Sequence, residues 1–115
     1  MKLIHAGIDK KDVDHFKLKA ELGYESLAKV LHFTKATLFN RKGKRFDSDL
    51  SERLVALTDL YSYGYPVMGS AAQFNLWMKT DNVALQARPL DFADTLYGVG
   101  EIRKIIGRMA YGVYS

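Results

Sequence analysis

The chain has 115 residues, which is enough for one domain or for two small units that share a core. It contains no cysteine, so disulfide bonds and thiolate metal sites are excluded, and this composition is typical of proteins from a reducing cytosol. Because the formal net charge is only +4, the placement of the basic residues carries more information than their number.

The sequence lacks the features of an exported or membrane-spanning protein. No apolar run approaches the roughly 20 residues that a bilayer-spanning helix needs. The first six residues, Met1 to Ala6, do not form the long apolar segment of a signal peptide. We therefore expect a soluble, cytoplasmic protein that does not associate with a membrane.

Residues 27–38 have the apolar spacing of a helix-turn-helix. Ala28 supplies the small residue needed where the two helices touch, and Leu31 and Leu38 are apolar positions on either side of the turn. The turn requires a positive φ at His32, a residue type that is enriched in that conformation. Thr34 is placed to cap the second helix through its hydroxyl. This pattern predicts a DNA-binding unit.

A basic segment follows the turn, with no acidic residue between positions 34 and 45. Asn40 is suited to the edge of an adenine, Lys35 to guanine or phosphate, and the arginines and lysines after it to phosphates. The residues predicted to contact DNA are Lys35, Thr37, Asn40, Arg41, Lys42, Lys44 and Arg45. The sequence also allows the unit to be a scaffold or a dimer surface, because Phe39 lies on the supposed reading face.

The next segment predicts a helix of about four turns, starting in the capping residues of 47–52. Its apolar side is formed by Leu50, Leu54, Leu57, Leu60 and Tyr61. Gly64, Pro66 and Gly69 punctuate the pattern, and the sequence leaves open whether the helix stops before Pro66 or continues with a kink to Met68.

The remaining segments also predict helices. Ser70 begins a capping box before Phe74, Trp77 and Met78, and Trp77 is expected in the core. A short piece starts in 88–91, with proline in its first turn, and residues 94–98 end it and lead into the last helix. The buried side of that helix is predicted to contain Val99, Ile102, Ile105, Ile106 and Met109. Since nothing alternates with a period of two, the sequence predicts an all-α fold with short connections.

The final residues, 106–115, keep their aromatic and apolar character to the end of the chain. Chain ends are usually poorly ordered unless they dock, and tyrosines are frequent anchors in buried contacts. The segment is therefore predicted to bind a partner, or to pack on its own domain or on a dimer mate.

Catalysis is not expected. His5, His15 and His32 do not have metal-ligand spacing, and neither a His-Glu-x-x-His motif nor a glycine-rich phosphate loop is present. We expect no catalytic residue, no cofactor and no metal site.

The order of these motifs resembles the Xre/MbcA/ParS antitoxin family. The resemblance runs from Leu22 to the C-terminus and rests on the helix-turn-helix, the capped helix after it, Trp77-Met78, the segments 82–85 and 88–91, Gly98 and the end 106–115. It implies an Xre-like helix-turn-helix region at 1–63, followed by a small helical toxin-binding domain with an extended C-terminal tail at 64–115.

The resemblance also implies a function. It implies an antitoxin of a toxin–antitoxin operon that blocks a RES-domain, NAD-consuming toxin with its tail. The residues that this role assigns to the toxin contact are Arg108, Tyr111, Gly112, Val113, Tyr114 and Ser115. It further implies repression of the antitoxin's own operon through operator DNA, as a homodimer or larger assembly. The alternative is a stand-alone helix-turn-helix regulator whose C-terminal region mediates dimerisation.

Overall fold

The computed structural model describes residues 9–34 and 48–112. Regular secondary structure in these two ranges is helical throughout, apart from an isolated bridge that pairs Asn82 with Ala87. The prediction of an all-α fold is confirmed. None of the helices within these ranges is both long enough and apolar enough to cross a membrane.

Helix α1, Lys10–Ala20, begins at a cap that the sequence analysis did not assign. The Asp9 carboxylate accepts the backbone N–H groups of Lys11 and Asp12, and the Asp12 carboxylate accepts the N–H of Asp9 in return. Val13, Phe16 and Ala20 repeat at helical spacing and are buried. The reciprocal aspartates and this stripe are the signals that could have located the helix.

Helix α2, Tyr24–Leu31, is the first helix of the predicted helix-turn-helix. Leu27, Val30 and Leu31 are buried in the common core. The helix ends at His32, whose φ of 61° confirms the predicted left-handed turn residue. The second helix predicted for the motif falls in residues 35–47, which lie outside the described residues, so the cap predicted from Thr34 stays a prediction.

Helix α3, Ser48–Met68, is 21 residues long and forms the centre of the fold. All five apolar residues predicted for its buried side, Leu50, Leu54, Leu57, Leu60 and Tyr61, are buried. The helix passes through Pro66 and ends before Gly69, whose φ is +95° and whose N–H donates to the carbonyl of Tyr65. Of the two alternatives, the continuation to Met68 is correct. Proline is tolerated because Pro66 is exposed and removes a single intrahelical hydrogen bond in the last turn.

Gly64 is part of α3 rather than a boundary. Its backbone lies directly against the ring of Phe74, in a space that a Cβ atom would fill. Phe74 belongs to helix α4, Ala71–Met78, which Ser70 caps by accepting the N–H of Gln73 at 3.1 Å; this is one half of the predicted capping box. The missing side chain at Gly64 therefore sets how closely α3 and α4 approach.

Helix α5, Leu96–Ala110, follows a 3-10 turn at Pro89–Phe92. The Thr95 hydroxyl caps it by accepting the N–H of Gly98 at 2.9 Å. The helix thus starts at Leu96, and Gly98 lies inside its first turn instead of ending the preceding piece. Gly98 is needed there because the backbone of Phe92 occupies the position of a side chain.

A cluster of aromatic rings joins α1, α3 and α4. Tyr61 contacts Phe16, Phe74 and Tyr65 edge to face, with ring centroids 5.1, 5.0 and 6.0 Å apart. Trp77 stacks on Phe74 at 5.8 Å and is partly buried, at the margin of the predicted core. Burial of a ring such as that of Phe74 contributes about 1.5–3 kcal/mol to folding. The N-terminal and C-terminal helices consequently share one core.

Candidate functional site

Helix α5 presents one face to the core. Val99, Ile102 and Ile106 are buried, while Ile105 and Met109 are partly buried beside them. This agrees with the buried side predicted from spacing, with two of the five residues at its edge. The opposite face of the same helix is consequently fixed toward solvent.

Arg103 fixes α5 against α3 from the side. Its guanidinium makes a 2.8 Å ion pair with Asp59 and lies over the ring of Tyr63, 4.2 Å from the centroid. Gly107, one turn further along α5, lies beside the Tyr63 hydroxyl. The direction in which the C-terminal end of α5 points is therefore determined by packing on α3.

The solvent face of α5 carries a stripe of five side chains, separated by four, three, four and three residues. The outer stripe consists of Tyr97, Glu101, Lys104, Arg108 and Tyr111. Lys104 pairs with Glu101 at 3.0 Å, an exposed contact of small energetic value. The outer stripe therefore has a tyrosine at each end and charged residues between them.

The C-terminal end of α5 brings three of the six predicted toxin-contact residues together. Tyr111 is the C-cap, its N–H donates to the carbonyl of Gly107, and its side chain is 82% exposed. Arg108 is exposed and makes no ion pair within the described part of the chain. Gly112 has a φ of +67°, a conformation that favours glycine. Val113, Tyr114 and Ser115 lie outside the described residues.

An exposed apolar group at the other end of α5 was missed by the sequence analysis. Phe92, Leu96 and Tyr97, which we call the N-terminal patch, are 38%, 53% and 78% exposed. Tyr97 falls on the helix side away from Val99 and Ile102, which is a detectable signal once the helix start at Thr95 is known. Leu96 is exposed as the first residue of the helix.

The 3-10 turn before α5 is held by an ion pair. The Arg88 guanidinium donates to both carboxylate oxygens of Asp91, at 2.8 and 3.3 Å, and the Arg88 backbone N–H donates to the same group. The hydrogen bonds and charge of Arg88 hold the pKa of Asp91 below its usual range. The predicted proline-containing turn at 88–91 is thus present as a single, capped turn.

None of the predicted DNA-contact residues can be placed. Lys35, Thr37, Asn40, Arg41, Lys42, Lys44 and Arg45 all lie outside the described residues. The described neighbours are α2, which packs on α3, and the turn residue His32. Across 9–34 and 48–112, no group of three or more His, Asp or Glu side chains is arranged to hold a metal ion.

Comparison with family models connects both parts of the chain to antitoxins. Residues 64–112 match the antitoxin Xre/MbcA/ParS C-terminal toxin-binding domain. Residues 1–58, half of the chain, match the antitoxin Xre-like helix-turn-helix domain. The chain belongs to the Xre family of antitoxins. The suspected resemblance is confirmed, and the exposed end of α5 falls within the toxin-binding match.

This Xre-family antitoxin combines a helix-turn-helix region with a toxin-binding domain, the organisation of an antitoxin from a toxin–antitoxin system. Its two matched regions meet within α3, where residues 58 and 64 are less than two turns apart. No curated protein matches the chain.

Proposed function

We propose that this antitoxin neutralises a RES-domain toxin that consumes NAD, by covering the toxin's active site with its C-terminal tail. The observation that carries this proposal is the exposure of Tyr111 at the end of a helix whose other face is in the core. A large aromatic side chain held in solvent at a fixed position is suited to insertion into a partner. The proposed contact residues are Arg108, Tyr111, Gly112, Val113, Tyr114 and Ser115.

The chemistry of these residues fits a pocket that binds a dinucleotide. A tyrosine ring is flat and can enter a slot shaped for a nucleobase or a nicotinamide. Neutralisation then occurs by occlusion, so the antitoxin itself performs no chemistry.

The test is co-expression with the protein encoded by the adjacent gene, using the full chain and a chain that ends at Ala110. Growth and the cellular NAD level are measured for each. We expect the full chain to restore both and the shortened chain to restore neither, with the helical fold of the shortened chain confirmed by circular dichroism. Rescue by both chains would show that the inhibitory contact lies in the helical body and not in the tail.

A matched pair of substitutions on α5 refines this test. Arg108→Ala removes an exposed guanidinium beside the tail, whereas Arg103→Ala removes one that binds Asp59 and Tyr63 on α3. We expect Arg108→Ala to weaken toxin binding with little change in stability. Arg103→Ala should lower stability slightly and leave toxin binding near the wild-type value.

The helix-turn-helix match supports a second role in the cytoplasm. The antitoxin represses its own operon by binding operator DNA, as a homodimer or a larger assembly with its toxin. The proposed DNA contacts are Lys35, Thr37, Asn40, Arg41, Lys42, Lys44 and Arg45. If neither chain rescues growth while operator binding is intact, the protein is a stand-alone regulator.

A further inference from the structure

The two ends of α5 both carry exposed aromatic residues. The N-terminal patch of Phe92, Leu96 and Tyr97 lies at the start of the helix, and Tyr111 is the C-cap at its end. The backbone of Phe92 lies against Gly98, so Phe92 is close to the first turn of α5, which carries Leu96 and Tyr97. Neighbouring apolar side chains left in solvent are typical of a surface that a partner covers.

Tyr97 of the patch and Tyr111, the first residue of the tail, lie on one side of α5. Tyr97 and Tyr111 are the two ends of the outer stripe, and a rise of 1.5 Å per residue places their Cα atoms about 21 Å apart. The residues between them, Glu101, Lys104 and Arg108, lie on the same face and leave it accessible to solvent. A partner that lies along the outer stripe can therefore contact the tail and the patch together.

The tail is too small to form a typical interface alone. Stable interfaces use about 20–30 residues on each side, whereas the tail from Tyr111 to Ser115 provides a small fraction of these. Further contact area has to come from other residues of the antitoxin, and those adjoining the tail are the nearest. The outer stripe is continuous with it and leads to the N-terminal patch.

We propose that the N-terminal patch is a second anchor for the toxin, binding an apolar recess on the toxin surface outside the active site. This inference rests on the proposed function, because it takes the same toxin as the partner of the tail. Leu96 and Tyr97 enter the recess, Phe92 packs at its edge, and the charged centre of the outer stripe spans the rim of the active site. The patch supplies affinity, whereas the tail supplies inhibition.

The test is the double substitution Leu96→Ser with Tyr97→Ser, which removes the apolar groups and leaves the cap at Thr95 intact. Purified toxin from the adjacent gene is titrated with this variant, with wild type and with Val83→Ser. Val83 is a matched control because it is 94% exposed in the loop between α4 and α5. We expect the double variant to bind at least about 30-fold more weakly, the effect of losing an interface hot spot. Val83→Ser should stay within about twofold of wild type.

The outcomes distinguish failure of the proposed function from failure of the second anchor. If wild type does not bind the toxin, the proposed function is wrong and the second anchor falls with it. If wild type binds and the double variant binds equally well, the second anchor is wrong and the proposed function stands. If the double variant binds the toxin as tightly as wild type but has a smaller mass than wild type in light scattering, the patch is a contact between two antitoxin copies. That result also overturns the anchor. Equal melting temperatures for all three proteins confirm that a weaker titration reflects the surface.

Discussion

The side-chain amide of Asn75 donates to the backbone carbonyl of Lys19 at 2.9 Å, joining α4 to the C-terminal end of α1. The same amide donates to the Glu21 carboxylate at 2.8 Å. The Tyr65 hydroxyl hydrogen-bonds to the backbone carbonyl of Lys19 and to the side-chain oxygen of Asn75. Asn75 is 1% exposed. Because buried polar groups are costly without partners, this cluster holds the loop before α2 against the toxin-binding half.

Asn75→Ala should destabilise the protein by about 2–3 kcal/mol, because it removes hydrogen bonds to a carbonyl and to a charged carboxylate. The free energy of unfolding in urea, followed by circular dichroism, measures the loss. Gln73→Ala is the control on the same helix, since Gln73 is exposed and its side chain should matter by less than about 0.5 kcal/mol. Identical urea midpoints for Asn75→Ala and wild type would contradict the assigned role.

The two family regions should unfold in one transition, since α3 runs through both and their side chains share one core. Trp77 is the single tryptophan and reports on α4, while far-ultraviolet circular dichroism reports on all helices. We expect the two signals to give the same urea midpoint. Separate midpoints would show that the halves are independent domains.

Gly64→Ala should destabilise the protein by about 1–3 kcal/mol, because its new methyl group meets the ring of Phe74. Gly100→Ala is a matched control on α5, where a Cβ has no neighbour within 4 Å. That substitution should stabilise by about 0.5–1 kcal/mol through helix propensity. Thermal melting of both variants checks the opposite signs, and a shift in the same direction for both refutes the packing argument.

Tyr61→Phe should leave stability unchanged or raise it slightly at neutral pH. The Tyr61 hydroxyl is buried and finds no hydrogen-bond partner among the described residues, so its removal sacrifices no bond. Tyr65→Phe is the control, because the Tyr65 hydroxyl does donate to Lys19 and Asn75. Its loss should cost about 1 kcal/mol in urea unfolding.

The same tyrosine should affect stability at high pH. Burial raises the pKa of Tyr61 above its ordinary value, with a smaller contribution from Tyr65. Above about pH 10 the unfolded chain loses this proton and the folded chain keeps it, so stability falls as the pH rises. Tyr61→Phe should make the fall shallower by up to about 1.4 kcal/mol per pH unit. Parallel curves for wild type and variant between pH 10 and 11 would exclude this linkage.

Arg41→Ala and Lys42→Ala should each lower operator affinity and reduce the salt dependence of binding by about one unit of slope per lost phosphate contact. Fluorescence anisotropy with DNA from upstream of the antitoxin gene, at several salt concentrations, measures the slope. Lys104→Ala removes the same charge from α5 and serves as the control. A wild-type slope in either test variant removes that residue from the DNA interface.

Local sequence determined the helices and most of the core. Caps such as Ser70 act on neighbouring N–H groups, and the spacing of residues such as Leu54 and Leu57 places them on one helix side whatever packs against it. The family also followed from the order of these motifs along the chain. These features depend on residues that are close in sequence, so they can be predicted without tertiary structure.

Tertiary contacts decided what local rules leave open. Gly64 and Gly98 resemble helix breakers in sequence, yet each lies inside a helix. Glycine is needed at both positions because another segment packs where a side chain would be. Asn75 is buried because α1 and α3 supply its hydrogen-bond partners from distant positions. Tyr97 is exposed because α5 turns Val99 and Ile102 toward α3, and Leu96 is exposed because it begins the helix. Only the packed helices define which apolar residues are left for a partner.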